Sequence, residues 1–153
     1  MMFEIKKVIN DQMANDCDNL LTKLVQYERK FDKNIKETFV VSNNYVNLYK
    51  KDNNILYIVY DNYKPIGFIY GYIKSVTSNL FYKTVAQIDA LYVLDNYRKK
   101  GIATSLINKF YEWCKDNNVK IVEISVFKDN IDAYNLYKKL GNDIEMYKMK
   151  KEL

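Results

Sequence analysis

The chain has 153 residues, 48% of them hydrophobic and 28% charged, which suits one folded domain over residues 1–153 and excludes a disordered tail, a collagen-like repeat and a disulfide scaffold. It contains no histidine, so every Ser-His-Asp triad, Cys-His dyad and histidine-ligated metal site is excluded as well. The formal net charge is +5; a basic chain attracts anions, while heavy use of Lys, Asn, Ile and Tyr, as an AT-rich genome supplies, gives the same charge with no partner.

Cys17 and Cys114 form no metal or redox motif and read as small core hydrophobes in a reducing compartment. The opening MMFEIKKVIN carries no signal-peptide pattern, and the longest apolar runs are too short to span a bilayer. A cytoplasmic protein with no membrane partner is expected.

In chain order, residues 3–9 read as a strand. Met13, Cys17, Leu20, Leu21 and Leu24 recur at helical spacing within 11–28, after an Asn10 cap. Residues 34–50 read as a second helix, although Thr38 to Val41 interrupts it with β-formers. Ile55–Tyr60 and Ile66–Lys74 are strands joined by a turn containing Pro65. Thr84–Val93 is a further strand. Ala103, Leu106, Ile107, Phe110 and Cys114 share one face of a helix over 101–116. Val119–Phe127 is a strand, residues 131–140 a short helix closed by Gly141, and Ile144, Met146 and Met149 mark a last strand. The order β-α-α-β-β-β-α-β-α-β mixes hairpins with one strand–helix–strand crossover, hence α+β: a mixed, mostly antiparallel central sheet flanked by helices.

The segment Tyr92 to Thr104, YVLDNYRKKGIAT, carries the chemistry. A strand ends, a basic loop follows, and a helix begins at Gly101. The first turn of a helix presents unpaired N–H groups and the positive end of its dipole, which together hold anions. Gly101 and the small Ala103 and Thr104 leave room, and Arg98, Lys99 and Lys100 add charge, so the turn can hold a pyrophosphate. An ordinary strand–helix turn with solvated lysines has the same local pattern.

Arg98-Lys99-Lys100-Gly101-Ile102-Ala103 resembles the (Q/R)-x-x-G-x-(G/A) motif with which the GNAT-family N-acetyltransferases bind the pyrophosphate of acetyl-CoA. Leu91-Tyr92-Val93 is similar to the family's bulged fourth strand. Asn130, Ala133, Leu136, Tyr137, Leu140 and Gly141 match its second motif, and Asn142 departs from the aromatic residue usual there. The resemblance implies a GNAT fold and acetyl-CoA as co-substrate, with no metal. It implies that the fourth and fifth strands splay, that Leu91 and Val93 hold the pantetheine arm through their backbone, and that Tyr92 lies between them. Residues 99–104, Ile102 included, would wrap the phosphates; Asn130 would touch the cofactor, and Tyr137 would lie near the coenzyme sulfur.

Such an enzyme transfers acetyl directly, in a ternary complex, when an amine attacks the thioester. The departing thiolate needs a proton, which the Tyr137 phenol can donate; packing is the other role of a tyrosine in a chain with 15 of them. Asp89 is the candidate base, or a structural hydrogen-bond acceptor. Polyamine-acetylating members carry Glu at its position, one methylene longer, so a bridging water is implied. Gln87 stands where the histone-acetylating branch has a glutamate and cannot act as a base. Glu28 and Glu123 are weaker candidates for the base and read rather as solvated charges. The resemblance places the acceptor groove at residues 17–40 and 75–84. Tyr27, Glu28, Phe31, Asp32 and Glu37 there suit a small polyamine-like or aminoglycoside-like amine, or form a solvated helix face. A non-catalytic acetyl-CoA sensor and a peptide or protein N-acetyltransferase are the alternatives. No nucleic-acid motif is found, and a homodimer is left open.

Overall fold

The computed structural model describes residues 3–75 and 80–153. Its sheet has five strands in the order β1-β2-β3-β4-β5: Glu4–Lys7, Asn54–Asp61, Lys64–Ile73, Val85–Val93 and Ile121–Ile124. The first four pair antiparallel, and β5 joins β4 in parallel after a helical crossover. Helix α1, Asp11–Glu28, covers one face; α2, Ile102–Asp116, covers the other; α3, Ile131–Lys139, follows β5. The α+β architecture is as expected. Among the described residues no helix is long and apolar enough to cross a membrane.

The central strands are almost continuously apolar because both faces are covered. Leu56, Ile58, Phe68, Tyr70, Ala90 and Tyr92 pack with Ala14, Cys17 and Leu20 of α1. Ile55, Val59, Ile69 and Ile88 pack with Ile102, Leu106, Ile107, Phe110 and Cys114 of α2. Both cysteines are buried free thiols, one in each core. Asn10 caps α1 as expected, its Oδ1 accepting from the Met13 N–H at 2.9 Å.

Two expected elements do not form. Residues 34–50 are turns with one 3-10 turn, Tyr45–Asn47, instead of a second helix. Side chains of α1 and of its C-cap Arg29 occupy the backbone groups that a helix would have paired. Asp18 accepts from the N–H of Asn44 and Tyr45 (3.1 and 3.0 Å), Thr22 Oγ1 accepts from Val41, and Gln26 and Arg29 donate to the carbonyls of Phe39 and Ile35. The β-branched run and the left-handed Asn43 (φ 54°) oppose a helix locally. The expected last strand is also absent: residues 142–153 have no regular structure, and Ile144, Met146 and Met149 are exposed. Their apolar positions change parity between Met146 and Met149, so no single strand face collects them. The hairpin turn lies at Asp61–Lys64, with Asn62 at φ 57°, and Pro65 falls inside β3 beside a bulge.

Candidate active site

The site begins where the sheet comes apart. Pairing between β4 and β5 runs from Val85↔Ile121 to Ile88↔Ile124 and stops. β4 continues to Val93, still paired to β3. Among the described residues, Asp89 to Val93 therefore have no strand on their β5 side, and residues 125–127, expected as strand, line the opposite wall of the gap. Asp89 is the bulged residue: Tyr70 pairs Ala90 while Gly71 pairs Ile88. The bulge flips the alternation, so Ala86 and Ile88 face α2 whereas Ala90 and Tyr92 face α1. Asp89 is left pointing into a cleft of about 490 Å³.

One end of the cleft is built of backbone. A 3-10 turn, Asp95–Tyr97, leads into a loop where Lys99 (φ 60°) and Gly101 (φ 80°) are left-handed. No side chain caps α2, so the N–H groups of its first turn face outward without an acceptor from a cap. A Cβ on Gly101 would meet no protein atom within 4 Å, so the space above it is open. Lys99, Gly101, Ile102, Ala103 and Thr104 line this end. The donor set fits a pyrophosphate. Arg98 lines it too, but its guanidinium is engaged. Nε donates to the Val93 carbonyl at 2.9 Å, an amino group pairs with Asp95 at 3.0 Å, and the group lies 4.5 Å from the Tyr27 ring centre and 5.5 Å from that of Tyr92. It fastens the loop to α1 and β4. Lys100 does not line the cleft; its ammonium lies 5.6 Å from the Tyr97 ring centre.

The other end is built of side chains. Leu24, Tyr27 and Glu28 of α1, at one-face spacing, enter beside Asp89. Tyr137 enters from α3, whose cap is Asn130: its Oδ1 accepts from the Ala133 N–H at 3.3 Å. Asn142, the departure from the motif, grips the Tyr137 carbonyl through its N–H (2.9 Å) and its Nδ2 (3.0 Å), steadying that turn. Phe31 stacks on Phe127 at 5.9 Å and meets Tyr27 edge-on at 5.7 Å, so an aromatic wall joins α1 to the far side of the cleft. Burial raises the Asp89 carboxyl above its usual range. Burial, then the charges of Asp32 and Asp89, raise Glu28. Burial, with Tyr111 and Glu28 nearby, pushes the Tyr137 hydroxyl well up, so it keeps its proton at neutral pH.

A model of the acetyltransferase (GNAT) family matches residues 19–141. The chain belongs to this family. A relative, an uncharacterised N-acetyltransferase of Methanocaldococcus jannaschii, is 32% identical over 134 residues, covering 87% of this chain and 59% of that protein. The chain thus spans about three fifths of the relative's length. Among solved structures, a mutant of a Bacillus halodurans protein superposes with TM-score 0.84 at 17% identity, covering 98% of this chain and 99% of that one. An aminoglycoside acetyltransferase from an uncultured soil metagenomic sample gives TM-score 0.74 at 18% identity, covering 100% and 99%. At such identities the likeness is one of fold.

Most of the expected GNAT site residues share this one cleft: Asp89, Leu91, Tyr92, Val93, Arg98, Lys99, Gly101 to Thr104, Asn130 and Tyr137. Glu123 stays outside, paired with Lys74 at 2.6 Å. Glu37 pairs with Arg29 at 3.7 Å, away from the cleft. The loop before β4 contributes nothing from residues 75 and 80–84, and its residues 76–79 lie outside the described ones. Glu28, expected to be a solvated charge, is half-buried in the cleft wall. The sequence does hold a signal for it: the stripe Leu20, Leu24, Glu28 puts a carboxylate where the apolar face of α1 would have continued.

Proposed function

We propose that the chain is an acetyl-CoA-dependent N-acetyltransferase acting on the primary amine of a small cationic acceptor, polyamine-like or aminoglycoside-like, in a ternary complex. One observation carries this reading: the β4–β5 gap joins a basic, backbone-lined end to an acidic, side-chain-lined end in a single cleft.

Acetyl-CoA supplies an acetyl group already activated as a thioester. Lys99 and the amides of residues 101–104 bind its pyrophosphate, and the open edge of β4 from Asp89 to Val93 offers main-chain partners to an extended arm. The two ends hold both reactants in line, which supplies much of the rate. Asp89 takes the proton that the ammonium must lose. Tyr137 keeps its proton until the sulfur leaves, and donates it there. Neither cysteine lines the cleft, which favours direct transfer over a thiol-bound acyl intermediate.

The deciding experiment is calorimetric titration with acetyl-CoA, using dephospho and adenine-only analogues as controls, followed by thiol-release assays on an amine panel. Pyrophosphate-dependent binding and thiol release with cationic amines are expected. Binding without release on any amine would reduce the protein to an acetyl-CoA sensor; no binding by folded protein would overturn the reading.

A further inference from the structure

We propose that Tyr45 is a positioning residue for Asp89: its buried hydroxyl holds one water, which in turn donates to the Asp89 carboxylate. The inference rests on the acetyl-transfer reading for its bearing on catalysis, and the link itself can be tested without that reading.

Among the described residues, the Tyr45 hydroxyl is the one fully buried side-chain polar atom that has no hydrogen-bond partner. The residue is 0% exposed. A phenylalanine would fill the same space without taking a hydroxyl out of water, and a buried hydroxyl left unbonded costs stability. The residue is firmly held. Its N–H donates to Asp18 at 3.0 Å, and its ring meets those of Phe68 and Tyr70 edge-on, with centres 5.7 and 5.1 Å apart. Elsewhere in the chain, tyrosine hydroxyls bond acids directly: Tyr49, Tyr60 and Tyr97 donate to Asp11, Asp16 and Asp61 at 2.7, 2.7 and 2.8 Å.

Packing carries Tyr45 to the bulge of β4. Tyr70, on which its ring rests, pairs with Ala90, the residue after Asp89, and all three of Tyr45, Tyr70 and Ala90 lie in the core under α1. The charge of Asp89 reaches both phenols. Burial, then Cys17 and Asp89, push the Tyr45 hydroxyl far up; burial, then Asp89, raise Tyr70 to about 12. Tyr45 therefore keeps its proton and serves as a donor. A donor and an acid that are neighbours without touching are joined by a water between them. Such a water needs about two to four polar partners, and the Tyr45 hydroxyl, the Asp89 carboxylate and the Tyr70 hydroxyl offer three.

A donor on Asp89 fixes the carboxylate and favours its ionised form, which is the form that accepts a proton from the ammonium. Burial works against that form. Asp89 passes the proton to solvent, and Tyr45 keeps its own throughout. The other charged or titratable groups near Asp89 are Glu28 of α1, Tyr137 and Lys139 of α3, and Arg98, which is committed to Val93 and Asp95. Each of them stays in place when Tyr45 loses its oxygen alone.

The test is side-chain carboxyl NMR of Asp89 in the whole chain carrying Glu28→Gln, which removes the neighbouring carboxylate from the titration. Adding Tyr45→Phe keeps the ring and removes the donor, so the Asp89 midpoint should rise by about one pH unit. Tyr49→Phe, whose hydroxyl bonds Asp11 away from the cleft, should leave the midpoint where it was. With Tyr45 intact, the signal of its hydroxyl-bearing ring carbon should step at the Asp89 midpoint, and Asp89→Asn should abolish that step. In turnover, Tyr45→Phe should move the acidic limb of the pH–rate profile up by the same interval, with KM for the amine and acetyl-CoA affinity within about twofold of wild type. An unmoved Asp89 midpoint in folded Tyr45→Phe, an equal rise in Tyr49→Phe, or a Tyr45 signal blind to Asp89 would overturn the proposal. The NMR titrations need neither acetyl-CoA nor an amine, so a protein that transfers no acetyl group would overturn the transfer reading and leave the Tyr45–Asp89 link to be decided separately.

Discussion

At the basic end the cleft is lined from one short segment, Lys99 and Gly101 to Thr104, which presents the first-turn backbone amides of α2. At the acidic end, side chains including Glu28, Asp89 and Tyr137 are brought together from α1, β4 and α3. The first end depends on local φ values and on a helix start. The second depends on a β-bulge and on where two helices dock. A site of the first kind tolerates drift elsewhere in the fold, whereas the second records tertiary geometry.

Substitutions separate the two. Tyr137→Phe keeps the ring and removes the proton donor, so kcat should fall by about 100-fold or more while acetyl-CoA affinity is kept. Steady-state kinetics with calorimetry checks it, and wild-type turnover across pH would remove Tyr137 from the chemistry. Gly101→Val forces a β-branched residue to φ 80° and fills the open space above the loop. Acetyl-CoA affinity should weaken by roughly 10- to 100-fold, with circular dichroism confirming the fold; unchanged affinity would break the assignment of the basic end.

Gly71→Ala attacks the acidic end from beneath. Its Cβ would overlap the Phe110 ring and lie 2.7 Å from the Gln87 carbonyl, beside the bulge that aims Asp89. The cost should be about 1–3 kcal/mol in denaturant unfolding, with turnover falling further than acetyl-CoA affinity. The smallest effect is one of sign. Burial raises the Asp89 pKa in the folded state, so ionised Asp89 destabilises the fold as pH rises through that value. Asp89→Asn should therefore be slightly more stable than wild type at pH 7, by less than about 1 kcal/mol, and the gap should close below the unfolded pKa of roughly 4. Thermal denaturation at both pH values checks it; a destabilised variant at pH 7 would make Asp89 a structural residue.

The same contrast governs what could be read from the sequence. The basic end was legible because Arg98 to Thr104 carries its chemistry in order, and the Asn10 and Asn130 caps were legible because a cap is a local bond. Residues 34–50 read as a helix in the sequence because their backbone partners, Asp18, Thr22, Gln26 and the C-cap Arg29, lie on or at the end of a different element. The Asp89 bulge is a matter of register between strands, which no spacing within β4 reveals. Glu28 is hidden for a related reason: a carboxylate at a helix end looks solvated until the fold brings Asp89 and Tyr137 into the same cleft.

The segment that α1 holds in place has a consequence for inheritance. Residues 34–44 are fastened by a handful of side-chain bonds and contribute no strand to the sheet. Insertions and substitutions there can reshape the rim next to Phe31 and Asp32 without shifting the register of β2 to β5. Under the proposed function, two descendants of this chain could thus diverge in the amines they accept while sharing one unaltered way of holding their acetyl donor.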